Sequence, residues 1–313
     1  MVVKKCSDEE FAKLFTQHGA TKTAKILGVG ERSVYKRRVN SFPSLAAPTK
    51  VAPTEYPGRV RLELLNGTVL VGSDFHLWPG GESTCLRAFK KVIKDIQPNA
   101  IILNGDVLDF PRISRHPQNW ETAPDPKEEI ECAQDHLSDM ELAAKRGTKK
   151  IWPIGNHDIR LEAMFANQTP QMRGVRGVHL SDHFPNWQKA MSCLINGETK
   201  GGATMVKHRP KGSGVGATRA TALNGGISTV NGHLHRQNVQ AISDYNEFDR
   251  YGVDTGCVAD KEHRAFTYTE DAPLDWRSGF SLLTYRNGRL MYPELFTKWD
   301  ANHVQFRGNL IRC

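Results

Sequence analysis

Five short apolar runs recur along the chain, and each of them ends in side chains of the types that bind metal ions. They read GTVLVGSDFH, NAIILNGDVLD, KKIWPIGNHD, ATMVKH and ISTVNGHLH, and they begin at residues 67, 99, 149, 203 and 227. Runs of this length and composition are typical of β-strands. Because the carboxyl ends of the strands of an α/β sheet meet the loops at one edge, the runs predict a cluster of carboxylates, imidazoles and amides there.

Helical patterns separate some of these runs. One helix is predicted after Ser83, a candidate N-cap, and a second over residues 130–144, with a basic and glycine-containing end at 145–147. Strands that alternate with helices predict a layered α/β fold. Pro153 lies inside the third run, and it indicates either an edge strand or a strand that ends early.

Positive charge is concentrated at the N-terminus. Residues 1–40 hold nine Lys/Arg and four Asp/Glu, which is +5 of the chain's net charge of +8. Residues 41–58 contain four prolines and no apolar periodicity, a composition typical of an extended linker. The sequence therefore predicts a small basic domain over residues 1–40, a linker over 41–58 and a large domain over 59–313.

The N-terminal part resembles the helix-turn-helix of phage and bacterial DNA-binding proteins. Three short helices are predicted, with Thr21 as the N-cap of the second. The motif needs a small residue, a glycine at the turn and two apolar residues, and these positions are occupied by Ala24, Gly28, Val29 and Val34. The resemblance implies an all-α, DNA-binding domain whose third helix presents Arg32, Ser33, Tyr35, Lys36, Arg37 and Arg38. Arg37 departs from the pattern, because an apolar residue is usual there. The alternative is a small helical bundle with a solvated basic face.

Taken in order, the ends of the five runs resemble the motif series of the calcineurin-like metallophosphoesterases. That series is Asp-x-His, Gly-Asp-x-x-Asp, Gly-Asn-His-Asp/Glu, His and Gly-x-His. It appears here as Asp74-Phe75-His76, Gly105-Asp106-Val107-Leu108-Asp109, Gly155-Asn156-His157-Asp158, His208 and Gly232-His233-Leu234-His235. His208-Arg209 departs from the His-Gly of many members. For the large domain, the resemblance implies the family's two-sheet sandwich with α/β/β/α layers.

The resemblance also implies roles for these residues. Two metal ions are implied. Asp74, His76 and His235 would bind one ion, and Asn156, His208 and His233 would bind the other. Asp106 would be the carboxylate shared by both. His157 would lie beside the substrate without binding metal, and Asp109 would orient it by a hydrogen bond.

Elementary chemistry agrees with such a site. A shared carboxylate reduces the repulsion between two nearby cations, which together activate water and neutralise phosphoryl charge. Imidazole and carboxylate ligands without thiolates favour Mn²⁺, with Fe, Zn or Co as the alternatives. A carboxylate such as Asp109 would keep His157 protonated, so that it can supply a proton to a leaving alkoxide.

Further substrate contacts are predicted around the metals. The loop over residues 112–126 follows the second motif directly, and Arg115 within it is a candidate for a phosphate contact. An ordinary solvated loop is the alternative. Arg160 lies three residues after His157 and is expected to reach a phosphate oxygen, and Asn156 is expected to touch substrate as well as metal.

The sequence favours the first of three functions, and the other two are alternatives. The first is a nuclease-like phosphodiesterase that is brought to DNA by the N-terminal domain. The second is a phosphomonoesterase or nucleotide phosphatase with a regulatory N-terminal module, and the third is a non-catalytic DNA-binding protein with a vestigial metal site. No apolar run approaches the roughly 20 residues of a membrane span. The six cysteines are all isolated in the sequence, so we expect reduced thiols and a cytoplasmic protein.

Overall fold

The computed structural model describes residues 6–41, 56–114, 123–269 and 274–313. The chain divides into two compact units, Met1–Ala52 and Pro53–Cys313. Most of the predicted linker, residues 42–55, and the predicted phosphate contact Arg115 lie outside the described residues. None of the six cysteines forms a disulfide, and no described helix is long and apolar enough to cross a membrane.

The first unit is helical and contains α1 (Asp8–Leu27) and α2 (Glu31–Ser41). Gly19 breaks α1 into two helical segments, because its φ of 69° and ψ of −179° are not helical. The three predicted helical segments are therefore present. The N-cap prediction for Thr21 is wrong, since the break lies two residues earlier and the Thr21 hydroxyl donates to Glu31 Oε1 at 2.8 Å. The buried core of this unit consists of Phe11, Phe15, Ala20, Ala24 and Val34.

Arg37 ties α2 to the start of α1. Its guanidinium donates to the carbonyl oxygens of Cys6 and Ser7 at 2.9 and 3.1 Å and to Asp8 Oδ1 at 2.8 Å. The guanidinium carbon also lies 4.5 Å from the centroid of the Phe11 ring. These contacts explain why a charged residue stands where an apolar one is usual, because the arginine packs on the core and satisfies backbone carbonyls at the same time.

The second unit contains two mixed sheets. The large sheet consists of β2 (Gly67–Gly72), β3 (Ala100–Leu103), β4 (Lys149–Pro153), β5 (Gln188–Ala190), β11 (Gly279–Arg286), β12 (Arg289–Leu290), β13 (Glu294–Lys298), β14 (His303–Phe306) and β15 (Asn309–Arg312). Its order is β15-β14-β13-β11-β2-β3-β4-β5, and β12 pairs with β11. Neighbouring strands from β2 to β5 are parallel, so their carboxyl ends share one edge.

The small sheet consists of β1 (Val60–Leu62), β6 (Cys193–Ile195), β7 (Thr204–Val206), β8 (Ser228–Asn231), β9 (Asn238–Ile242) and β10 (Arg250–Asp254). Its order is β1-β6-β7-β8-β10-β9. The strands β7, β8 and β10 are parallel. All five predicted strands are therefore present, three in the large sheet and two in the small one.

Helices cover the outer faces of the two sheets. They are α3 (Thr84–Ile96), α4 (Pro126–Ala143), α5 (Arg160–Gln168), α6 (Leu180–His183) and α7 (Ala217–Gly225), with short 3₁₀ helices at Pro111–Ile113, Pro170–Met172 and Arg264–Thr269. Phe89 of α3 and Leu137 of α4 belong to the core on one face of the large sheet. Val71 of the large sheet and Val230 of the small sheet share the core between the sheets. Since α7 packs on the small sheet, the layers are α/β/β/α.

Two local predictions have clear outcomes. Ser83 caps α3 as predicted, because its Oγ accepts from Leu86 N at 3.0 Å. Pro153 does not lie in an edge strand, since β4 is paired with β3 on one side and β5 on the other. The other prediction, a strand that ends early, is confirmed, because β4 ends at Pro153 and its pairing with β3 stops at Ile151. The missing N–H of the proline therefore costs no ladder bond to β3.

Candidate metal centre

The side chains that end the five apolar runs converge where the strands of both sheets end. Three groups of potential ligand atoms lie there, and the atoms of each group are within 4.8 Å of one another. The groups are Asp74, His76 and His235; Asp106, His208 and His233; and His76, Asp109 and His157. A fourth group elsewhere, around Lys90, is already filled by the ammonium of that lysine, which lies 2.7 Å from Glu82 Oε1 and 2.7 Å from Asp139 Oδ2.

Asp74 connects the end of β2 to the loop after β8. Its Oδ1 lies 2.9 Å from His235 Nε2, and its Oδ2 accepts from the backbone N–H of His233 at 2.9 Å. A Cβ on Gly232 would lie 2.6 Å from Asp74 Oδ2, so a larger residue there would push the two loops apart. Burial alone would raise the pKa of Asp74, but His235 and His208 hold it well below its usual range. The carboxylate is therefore ionised and available to a cation.

Asp106 is the central carboxylate of the cluster. Its Oδ2 lies 3.1 Å from His208 Nε2 and 3.8 Å from His157 Nε2, and its Oδ1 accepts from His157 N at 2.8 Å. His208 Nδ1 donates to the Asn104 carbonyl at 2.8 Å, which fixes the ring and leaves Nε2 facing the cluster. Although burial opposes it, the negative charge of Asp106 and Asp74 raises the pKa of His208 to about 10. This part of the site strongly favours positive charge.

Several buried polar atoms of the cluster fit a metal site. Among the described residues, His76 Nε2, His235 Nδ1 and Asn156 Oδ1 have no hydrogen-bond partner. Leaving such an atom unsatisfied costs about 1–3 kcal/mol, and coordination of a cation is one way to satisfy it. Burial and the neighbouring His208 lower the pKa of His233 to about 4, so this imidazole is neutral, as a ligand must be. The residues present therefore fit two divalent ions.

His157 and Asp109, which with His76 make up the third group, form a pair beside the other two groups. His157 Nδ1 contacts Asp109 Oδ1 at hydrogen-bond distance. Burial would raise the pKa of Asp109, but the hydrogen bond with His157 and the nearby imidazole of His76 hold it well below its usual range. Burial lowers the pKa of His157, but Asp106 and Asp109 outweigh it and raise that pKa overall. The geometry can hold a protonated imidazole next to the ligand cluster.

Arg160 packs against this pair. Its Nη1 donates to the Asp109 carbonyl at 2.6 Å, and its Nη2 lies 3.3 Å from His157 Nε2. The sequence predicts a phosphate contact for this residue. The structure places it within reach of the site, but its described contacts are to Asp109 and His157.

Asp158 is a site residue whose role the motif alone did not reveal. Its buried carboxylate accepts from the backbone N–H groups of Asp106, Val107, Leu108 and Gly155, at 2.9, 2.9, 3.1 and 2.8 Å, and from Trp152 Nε1 at 3.0 Å. It thereby joins the loop after β3 to the loop after β4. Together with the bond from His157 N to Asp106 Oδ1, this side chain keeps the central carboxylate and the His157 loop in their mutual position.

Glu129 plays a similar part from α4. Its carboxylate accepts from the backbone N–H groups of Asp109 and Phe110, the latter at 2.9 Å from each oxygen. Phe110 has a φ of 50°, an unusual backbone conformation for a phenylalanine. Burial and the charge of Asp109 raise the pKa of Glu129 to about 8. No motif marks this residue in the sequence, because its contacts depend on how α4 packs.

An aromatic wall borders the first ligand group. The ring of Trp276 lies 4.3 Å from that of His235, and the buried ring of Phe266 lies 4.9 Å from that of His76. His263 lies 6.0 Å from Phe266, and burial and His76 lower its pKa to about 4. No pattern in the sequence marks these residues, since they lie far from the motifs along the chain.

The backbone at the cluster is unusual. Asp74, His76, Asp106, His233 and His235 all have positive φ, between 42° and 70°. Such conformations cost energy for residues other than glycine and concentrate at functional sites. Gly155 allows the tightest approach, because a Cβ there would overlap Asp106 Oδ1. His233 and His235 therefore do not obey the alternation of a strand, and both rings reach the cluster.

The predicted DNA-contacting residues lie in the first unit. Arg32, Ser33 and Lys36 are exposed on α2, and Arg38 is half-buried. Arg37 makes the contacts with α1 described above. The side chain of Tyr35 lies outside the description.

Comparison with known proteins places this site in a family. The family model described as calcineurin-like phosphoesterase matches residues 67–252. A curated relative, the gene 54 protein of Mycobacterium phage L5, is 25% identical over 251 residues, which cover 72% of this chain and 92% of that protein. Two solved structures align with a large part of the chain. Yfce, a phosphoesterase from E. coli, is 16% identical with a TM-score of 0.34, covering 69% of this chain and 87% of its own.

The second structure is a dimetal phosphatase from Danio rerio. It is 10% identical with a TM-score of 0.37, and it covers 79% of this chain and 98% of its own. The family match spans more than half of the chain and includes the motifs from Asp74 to His235. The chain therefore belongs to the calcineurin-like phosphoesterases and is a metal-dependent hydrolase of phosphoesters.

Proposed function

We propose that the protein is a two-metal phosphodiesterase that cleaves DNA, with its N-terminal helical unit contacting the DNA as a helix-turn-helix. The observation that carries the catalytic part is the convergence of the ligand groups around Asp106, with the His157–Asp109 pair beside them. Asp74, His76 and His235 would hold one ion, Asn156, His208 and His233 the other, and Asp106 both. Bound divalent ions supply Lewis acidity, which activates water and neutralises phosphoryl charge.

The chain's own residues supply the proton for the leaving group. A DNA strand leaves as an alkoxide, which needs a proton, and His157 is held next to the ligand groups by Asp109. Asp109 is in turn positioned through its backbone by Glu129. Arg160, 3.3 Å from His157 Nε2, limits the orientations of the imidazole. A purely structural metal site would have no use for this arrangement, which supports catalysis over a vestigial site.

Support for DNA as the substrate comes from charge. The first 40 residues carry +5, and Arg32 and Lys36 are exposed on α2 rather than engaged in the core. A clustered positive face is the electrostatic footprint of a polyanion partner. The packing of Ala24 and Val34 in one small core agrees with the helix-turn-helix assignment. We therefore favour a diester in DNA over a phosphomonoester.

The metal we propose is Mn²⁺. The donors are imidazoles, carboxylates and an amide, and none of the three groups contains a thiol. Such donors suit Mn²⁺, Fe²⁺, Zn²⁺ or Co²⁺ better than Ca²⁺.

One assay tests the proposed function. The full chain, loaded with Mn²⁺, is incubated with bis(p-nitrophenyl) phosphate, with p-nitrophenyl phosphate, and with linear double-stranded and single-stranded DNA. We expect turnover of the diester and cleavage of at least one form of DNA. The Asp106→Asn variant, which loses the shared carboxylate charge, serves as the inactive control. Turnover of the monoester alone would contradict a nuclease and favour a nucleotide phosphatase.

A further inference from the structure

A long stretch of the second unit contains no acidic residue. Residues 199–243 include six Lys/Arg and no Asp or Glu, whereas the average composition of the chain would place about five acids there. The same stretch supplies His208, His233 and His235 to the ligand groups. One side of the metal centre is thus built from a segment with uniformly positive charge.

Four of its basic side chains have no acidic partner in the described part of the chain. Lys207, Arg209, Lys211 and Arg219 are exposed, and among the described residues none of them has a carboxylate within ion-pair distance. The other two are paired, Lys200 with Glu247 at 2.5 Å and Arg236 with Asp275 at 3.7 Å. Elsewhere, basic residues such as Lys150 and Lys298 also have carboxylates near them. Lys211 Nζ donates to the neutral Asn224 Oδ1 at 3.3 Å, which leaves its charge unneutralised. The four charges are therefore available to an external anion.

Two of these basic residues are neighbours of a ligand candidate in the sequence. Lys207 and Arg209 flank the buried ligand candidate His208 along the chain. The loop that follows is tied back to the residue after His235, because Arg236 Nη1 donates to the Ser213 carbonyl at 3.3 Å. The loop also contacts α7 directly, since Lys211 N donates to Thr221 Oγ1 at 2.8 Å. Arg219 lies in α7, so the basic side chains extend from the ligand cluster to that helix.

We propose that Lys207, Arg209, Lys211 and Arg219 form a track, the basic track, that binds the phosphate backbone of a DNA strand as it enters or leaves the metal centre. This inference rests on the proposed function and deepens it, because it gives the second unit its own contact with a polymeric substrate. A polymeric substrate can contact the metals and the charges on α7 at the same time, whereas a small phosphoester needs only the metals. Contacts of this kind are independent of DNA sequence, since phosphates carry no base information.

The test compares two double variants of the full chain loaded with Mn²⁺. Lys211→Gln/Arg219→Gln removes two charges of the basic track, and both residues are exposed, so folding should be preserved. The matched control is Lys145→Gln/Arg146→Gln, which removes two equally exposed charges after α4, near the start rather than the end of β4. For each protein, kcat/KM is measured on linear DNA and on bis(p-nitrophenyl) phosphate over a range of salt concentrations.

We expect the DNA-to-small-diester ratio of kcat/KM to fall about tenfold at low salt for the track variant only. The slope of log kcat/KM against log salt is negative, and each lost phosphate contact reduces its magnitude by about 0.9, so the slope for DNA should become less negative by about 2. An unchanged ratio and slope, or an equal loss in the control variant, would overturn the basic track. If the wild-type chain cleaves neither substrate, the proposed function itself fails. This result is distinguishable from failure of the basic track, because it is seen in the wild type before any variant is compared.

Discussion

The Asp158 carboxylate accepts N–H groups from two loops and from Trp152, and it is fully buried. Such a group is costly to alter, because each buried donor that loses its acceptor remains unsatisfied. The described contacts of Asp158 are to backbone N–H groups and Trp152, and it acts by holding the loops that carry Asp106 and His157.

Asp158→Asn should therefore destabilise the second unit. The amide keeps one acceptor oxygen but turns an NH₂ group towards backbone donors, and we expect a loss of about 3 kcal/mol or more in the free energy of unfolding. Urea unfolding followed by tryptophan fluorescence measures it. Asp135→Asn, on the exposed side of α4, is the matched control and should change little. Equal stability of the two variants would show that Asp158 does not hold the two loops together.

His157→Ala separates proton donation from metal binding. A general acid contributes about 10²–10⁴ in rate, so we expect a loss of that size in kcat on DNA. The loss on bis(p-nitrophenyl) phosphate should be much smaller, because p-nitrophenolate leaves without needing a proton. Metal content after dialysis should equal that of the wild type. Loss of metal, or an equal loss on both substrates, would rule out His157 as the proton donor.

At this scale the sequence predicted the motif residues but not their supports. Asp74, Asp106 and His235 lie in short patterns whose spacing is readable along the chain, and the structure brings them together. Glu129 and Phe266 have no such pattern, because their contacts depend on the packing of α4 and of a loop far along the chain. Local spacing cannot encode these long-range contacts.

Among the elements, the loops at the ends of the strands determine the site. Their close packing leaves no room for side chains at certain positions, and Gly155 is the clearest case because a Cβ there would overlap Asp106 Oδ1. The same loops carry five ligand candidates with positive φ. The strands fix where the loops begin, and the tight turns then aim the side chains at one point.

Gly155→Ala should weaken metal binding by displacing Asp106. We expect the Mn²⁺ retained after dialysis to fall by at least half, with a similar fall in diester turnover and only a modest loss of stability. Gly216→Ala is the matched control, since its φ of −89° suits alanine and a Cβ there meets nothing within 4 Å. Full metal retention in Gly155→Ala would show that the close approach is not needed for the site.

In the N-terminal unit, Arg37 and Lys36 should behave differently. Arg37→Met breaks the hydrogen bonds to the start of α1 and should reduce the helix content of this unit, measured by circular dichroism.

Lys36→Gln should preserve helix content but weaken binding to DNA by about threefold to tenfold at low salt, as expected for one lost phosphate contact. DNA affinity unchanged in Lys36→Gln would contradict the proposed role of this α2 face.

The elements themselves were largely predictable. Apolar runs gave the five strands around the site, and Ser83 marked the start of α3. The break in α1 lies at Gly19 rather than at Thr21, because a glycine with positive φ ends the first segment before the threonine can cap the second. Pro153 ends an interior strand, which the sequence left undecided because an isolated proline does not reveal which neighbour is paired.

For the molecule as a whole, the site depends on two sheets meeting. The large sheet supplies Asp74, Asp106 and His157, and the small sheet supplies His208 and the pair His233 and His235. Alternating strands and helices predicted an α/β fold, but the division into two sheets came from family resemblance. Periodicity cannot give it, because the pairing of β11 with β2 joins residues about two hundred positions apart.

We infer that the two sheets together hold two metal ions in one catalytic site. The most direct measurement is the amount of Mn²⁺ bound per chain at equilibrium dialysis, in the wild type and in His208→Ala. We predict about two Mn²⁺ per wild-type chain and about one in the variant, which loses a ligand from the small sheet. A wild-type chain that binds one Mn²⁺ or none, or a variant that still binds two, would contradict a two-metal site shared by the two sheets.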